Sequence, residues 1–160
     1  MLKKMLVTVS VLGALAVASV GFAAASMEQA IEAAKAELPA GVVLQSRDKH
    51  DDEYVLRFRD NDTLLTYKVE VKTFSGLVDE VEILGSNIPG STTVVKTPEE
   101  IRTIILEAYP DATNIFIELD QEGNNKYYEV EFLTKKFKGE VKVNPVTGAF
   151  GKREHDYFQA

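Results

Sequence analysis

VNPVTGAF, residues 143–150, and VKTFSGLV, residues 71–78, lie 72 residues apart in this chain. Each runs from a β-branched strand end through a few turn residues to a hydroxyl and then Gly. In the later copy Pro145 pre-sets its backbone angle for a turn, Asn144 can bond the turn's amides, and Gly148 can adopt a positive φ without a Cβ clash. The chain should therefore reverse there and send Ala149 to Glu154 back as a fourth, edge strand. In the earlier copy Lys72 to Gly76 keeps only Ser75 and Gly76 of that chemistry, and Leu77, Val81 and Ile83 read as the returning strand.

Outward from these turns the apolar residues follow a period of two. Ile115, Ile117 and Leu119 alternate with Phe116 and Glu118; Tyr128, Val130 and Phe132 alternate with Glu129 and Glu131; Phe137, Val141 and Val143 alternate with Lys138, Glu140 and Lys142. This predicts three strands in a meander, with Glu129 and Glu131 near Lys138 and Lys142 on the polar face. The earlier half gives Val43 with Gln45 as a weak first strand, then Tyr54, Leu56 and Phe58, then Leu65, Tyr67, Val69 and Val71, with Arg57 and Arg59 opposing Glu70.

Ahead of each meander the period changes to that of a helix. Met27, Ala30, Ile31, Ala34 and Leu38 share one face, as do Ile101, Ile104, Ile105 and Ala108. Pro39 and Pro110 stop the two helices. Ser26 with Gln29 and Thr97 with Glu100 form capping boxes, and both pairs are offset by 71 residues. Helix, strand phase and turn thus agree on an internal duplication. The expected fold class is α+β: two αβββ(β) repeats, each a helix packed on an antiparallel sheet. The divisions are a signal peptide over 1–25, a first repeat over 26–86, a linker over 87–96 and a second repeat over 97–160. The linker reading rests on the Gly, Pro and Ser content of GSNIPGSTT, residues 85–93.

Residues 1–25 carry a basic start, an apolar run from Met5 to Phe22 and small residues at Ala23, Ala24 and Ala25, the pattern of a cleaved secretory leader. The alternative is an uncleaved anchor, since Met5 to Ala25 is 21 residues and about 20 can span a bilayer. The expected location is extracytoplasmic, periplasmic or secreted, with membrane contact only through an uncleaved leader. There is no Cys, so neither a thiol-linked lipid nor a disulfide is available and packing alone must hold the fold. Setting aside Lys3 and Lys4 from 18 basic residues leaves 16 against 25 acidic, a net charge of −9. Such a chain is repelled by phosphate backbones and anionic lipid, which excludes nucleic acid as a partner class and leaves proteins, metals or small cations.

The second half resembles the PepSY domain. The resemblance rests on YYEVEF at 127–132, on GEVKVNPVTG at 139–148 and on the helix from Thr97, and it extends more weakly over 27–84. Asn144 stands where that family more often has Asp. The resemblance implies a tandem PepSY protein related to the β-lactamase-inhibitor-like group. PepSY domains occur in propeptides of secreted metallopeptidases and in small exported proteins, so it also implies protein binding, with inhibition of an extracytoplasmic peptidase as one form.

Catalytic patterns are absent. Two histidines, His50 in KHDDE and His155 in REHDY, come with no nucleophile-elbow spacing. Asp60, Asn61 and Asp62 begin like a calcium loop but lack its Gly at position six and Glu at position twelve, and read as a turn. Glu118, Asp120 and Glu122 read as a solvated face, and His50, Asp51 and Asp52 as a hairpin loop. No catalytic, cofactor or metal residue is expected, and the chain reads as non-enzymatic. Phe116, Tyr127, Phe74 and Phe150 fall off the core phase, and Tyr157 and Phe158 end the chain. Aromatics on a charged sheet face are typical interface anchors, so the first four are the candidate protein contacts. The alternative is that the other copy or the tail covers that face. Two small sheets could also join edge to edge, or an edge strand could accept an extended peptide.

Overall fold

The computed structural model describes residues 24–85 and 90–159, so the expected leader, apart from Ala24 and Ala25, lies outside the described residues. The order is α1 (Met27–Ala36), β1 (Val43–Lys49), β2 (Glu53–Arg59), β3 (Thr66–Lys72), β4 (Val78–Leu84), α2 (Pro98–Ala108), β5 (Thr113–Glu122), β6 (Asn125–Leu133), β7 (Phe137–Val143) and β8 (Phe150–Tyr157). Both helices begin at a complete capping box. Ser26 Oγ accepts from the Gln29 amide while Gln29 Oε1 accepts from the Ser26 amide, and Thr97 and Glu100 do the same. Two orphan donors are thereby satisfied at each helix start.

All eight strands are antiparallel and belong to one sheet, in the order β1-β2-β3-β4-β8-β7-β6-β5. This corrects two expectations. Each helix does not have a sheet of its own: the two half-sheets join edge to edge, the possibility also raised from sequence, into one continuous sheet that carries both. The strand after VNPVTG is not at an edge: β8 pairs with β4 through Glu80↔Asp156, Val81↔His155, Glu82↔Glu154 and Ile83↔Arg153. The edges are β1 and β5.

The helices lie on the same side of the sheet, over separate cores. Ala30 and Ala34 of α1 bury against Tyr54, Leu56, Phe58, Val69 and Val71. Ile101 and Ile105 of α2 bury against Tyr128, Val130, Phe132, Val141 and Val143. Each large side chain fully removed from water contributes about 1.5–3 kcal/mol, so these apolar stripes hold the helices in place. The other side of the sheet carries the charges. Glu131 pairs with Lys138 at 2.8 Å and Glu129 stands opposite Lys142, as expected. Arg57 and Arg59, however, do not oppose Glu70. In the observed register Arg57 faces Lys68 and reaches back to Asp48 at 3.6 Å, and Arg59 faces Thr66 and bonds its hydroxyl at 3.1 Å; Glu70 pairs along its own strand with Lys68.

The two turns of the opening motif close as their chemistry predicts. Asn144 Oδ1 accepts from the amides of Val146 and Thr147, both at 2.9 Å, and Gly148 takes φ +76°. Gly76 takes φ +71° in the earlier turn. Each turn also grips the start of its helix, which the sequence does not reveal. The Pro145 carbonyl accepts from the Lys96 amide at 2.9 Å and the Thr73 carbonyl from the Ala25 amide at 2.7 Å. One tyrosine in each half completes the grip: Tyr128 donates to the Lys96 carbonyl and Tyr54 to the Ala25 carbonyl, both at 2.8 Å.

Candidate functional site

Alternation along β5 and β6 turns Ile117, Val130 and Phe132 toward α2 and therefore turns Phe116, Glu118, Asp120, Tyr127, Glu129 and Glu131 outward. The register sets Phe116 beside Glu131, Glu118 beside Glu129 and Asp120 beside Tyr127. The result is a shallow trough of about 190 Å³, lined by Phe116 and the four carboxylates Glu118, Asp120, Glu129 and Glu131. Phe116 is 61% exposed on the free edge strand. Tyr127 forms one end: its hydroxyl donates to Asp120 at 2.8 Å and the Lys142 ammonium lies 4.4 Å from its ring centre. The Tyr127 hydroxyl, then the Gln121 amide, hold Asp120 below the usual carboxylate range.

Of the four aromatics singled out from sequence, Phe116 and Tyr127 share this face of the sheet but stand at opposite ends of the trough, four residues apart along β5. Phe74 lies apart, 62% exposed in the β3–β4 turn. Phe150 is not off the core phase. A bulge in β8 opposite Lys142 flips its side chain to the helix side, where it packs against the second core, 6.4 Å from the Tyr109 ring. The C-terminal Tyr157 also turns inward, half-buried against Phe137 and bonded to Glu37.

The acidic face continues across the middle of the sheet. Ligand oxygens of Glu80, Glu154 and Asp156 lie within 4.8 Å of one another. Burial, then like charges, raise the pKa of Glu80 and Asp156, and burial followed by Glu129 does the same to Glu140. The loop residues behave as turns: Asp60 accepts from the Asp62 and Thr63 amides, and His50, Asp51 and Asp52 are exposed between β1 and β2. His50 leaves an edge strand whereas His155 sits four strands away, roughly 19 Å at the usual strand spacing. The two imidazoles therefore share no site.

The sequence reading passed over a second concavity, on the helix side where β4 meets β8. It measures about 240 Å³ and is lined by Glu37, Leu38 and Pro39 after α1, Ala108 and Tyr109 at the end of α2, and Tyr67, Val81, Ile83, Arg153 and His155 on the sheet. His155 is only 7% exposed, stacked on Phe137 at 4.2 Å with its Nε2 3.0 Å from the Tyr109 hydroxyl. Burial, then the Arg153 charge, lowers its pKa to about 4. A signal was present: the 72-residue offset sets Arg153 and His155 on Val81 and Ile83, so polar residues stand where the first half is apolar.

Residues 95–153 match the PepSY family, described as peptidase propeptide and YPEB domain. Among solved structures, a candidate lipoprotein of Clostridium difficile 630 aligns at 17% identity over 72% of this chain and 82% of its own, with a TM-score of 0.32. No curated protein matches the chain. No helix among the described residues is long and apolar enough to cross a membrane.

Proposed function

With residues 95–153 a PepSY domain, we propose that the chain is an exported, non-enzymatic tandem PepSY binding protein that engages another extracytoplasmic protein, a peptidase by preference, and restrains it. In this reading residues 26–86 and 97–160 are two αββββ repeats joined by 87–96, and 1–25 is removed on export. The matching turn-to-helix grips in the two halves support the duplication. The single observation that carries the binding proposal is Phe116: a large apolar side chain on a free edge strand, standing among four carboxylates, with Tyr127 at the far end of the same face. A lone exposed aromatic in a charged rim fits an anchor that is desolvated only when a partner arrives. The free β5 edge offers backbone groups for an added strand, and the carboxylates favour a basic partner segment.

The test is capture of exported peptidases by residues 26–160, compared with a Phe116→Ala, Tyr127→Ala double variant. Loss of about tenfold or more in affinity supports the contact surface, since a hot-spot aromatic carries 2 kcal/mol or more. Equal capture by both forms removes it. A second reading, binding of metal or small cations by the acidic face, has the Glu80, Glu154 and Asp156 grouping in its favour. It predicts stabilisation by calcium or zinc in calorimetry, which the protein-binding reading does not.

A further inference from the structure

Among the described residues, the cleft between α1 and α2 contains a cation with no ion-paired counter-charge. Arg153 projects from β8 into its wall, and its Nε is buried without a hydrogen-bond partner. Among the described residues no carboxylate lies within ion-pairing distance of its guanidinium, which rests 5.5 Å from the Phe150 ring centre and against Tyr109. Glu37, the acid in the lining, is already engaged by Lys136 at 2.9 Å and by the Tyr157 hydroxyl at 3.2 Å. A second unused donor is near: Tyr67 is buried in the same lining, and among the described residues its hydroxyl makes no hydrogen bond. Arg153 is half-buried, and a partly desolvated charge without compensation is costly enough that an apolar side chain of similar size would be cheaper. The first half shows the cheaper solution, with Val81 at the position that Arg153 occupies in the second.

We propose that this cleft is a carboxylate-binding site in which Arg153 supplies the charge and Tyr67 supplies a further donor. A guanidinium is the side chain best matched to a planar carboxylate. Leu38, Pro39, Val81 and Ile83 offer apolar walls for the rest of the ligand. At about 240 Å³ the space is below the roughly 300–1,000 Å³ of common small-molecule pockets, so it suits a slim group: a small organic acid or the carboxyl terminus of a peptide. The site lies on the opposite side of the sheet from the Phe116 trough and is independent of it.

Titration calorimetry of residues 26–160 with benzoate, with the dipeptide N-acetyl-Ala-Phe as the free acid, and with the same dipeptide as its C-terminal amide tests this directly. Binding of both acids and not of the amide supports a site open to small acids. Binding of the dipeptide acid alone supports a chain-terminus site. No binding of either acid at 10 mM, about the limit of useful occupancy, or equal binding of acid and amide, overturns the proposal. Arg153→Met should weaken the bound acid about tenfold or more, because a charge-assisted bond is lost. It should also raise the melting temperature of the ligand-free protein. Unchanged affinity in that variant overturns the assignment of Arg153, and the acid-against-amide comparison stands on the unaltered protein whether or not the variant folds.

Discussion

His155 makes the protein acid-sensitive over a defined window. In water an imidazole titrates near 6.5, whereas in the folded chain burial and Arg153 bring His155 down to about 4. A depressed histidine is neutral when folded and takes up its proton on unfolding. Its contribution to stability is therefore intact above pH 6.5 and is lost progressively as the pH falls toward 4. Linkage gives about 3 kcal/mol lost between pH 7 and pH 4, or about 10 °C in melting temperature for a chain of this size. Glu80, Glu140 and Asp156 act in the opposite sense. Their raised pKa values mean that the folded state takes up protons more readily than the unfolded chain, which stabilises it as the pH falls. A raw stability curve thus shows only the net effect. The informative quantity is the difference between the natural chain and His155→Gln, which keeps an acceptor for Tyr109 and cannot titrate. Urea unfolding at pH 7, 5.5 and 4 should show the natural chain losing about 3 kcal/mol more than the variant. Parallel curves would mean that His155 is solvated or already charged in the fold, and the account of the seam would be wrong.

Gly148→Ala, at φ +76°, and Gly123→Ala, at φ +61° with open space around it, should each cost about 1 kcal/mol; a Cβ at 148 would meet the Ile104 Cδ1 end at 2.6 Å, so any excess at 148 measures how far that flexible side chain can yield. Thermal melts of the pair separate the clash from the backbone strain. Tyr128→Phe and, in a chain that retains Ala25, Tyr54→Phe should each cost about 1 kcal/mol by releasing the carbonyl ahead of a helix, and equal losses in denaturant titrations would show that the two grips are equivalent.

What was legible in the sequence was local. Ser26 with Gln29 and Thr97 with Glu100 satisfy donors within a few residues, Asn144 and Gly148 dictate a turn by their own chemistry, and strand phase follows from a period of two. What was not legible depends on partners distant in the chain or on departures from the regular period. Nothing local tells β4 that its neighbour is β8, because the apolar code of Val81 and Ile83 is the same whether the next strand comes from this half or elsewhere. The bulge near Gly151 moves Phe150 to the other face of the sheet, so a strict count along β8 misplaces it. Arg57 was matched to the wrong acid because register, once slipped by two residues, exchanges Glu70 for Lys68. Of the candidate contacts, Phe116 and Tyr127 followed from simple alternation. The seam cleft did not, because its members come from five separate segments and meet only in three dimensions.

The hydrogen-bonded junction of β4 with β8 has a consequence for dissecting the molecule. Each half spends one rim of its strands on the other, so cutting the chain between them would lay bare a row of amides and carbonyls along β8 beside a half-built cleft. A severed C-terminal fragment would lack a solvent-tolerant flank and would recruit a sister fragment through that strand, giving a symmetric pair in which β8 lies against β8. Truncated forms of this protein would then report on self-association as much as on the behaviour of the intact chain.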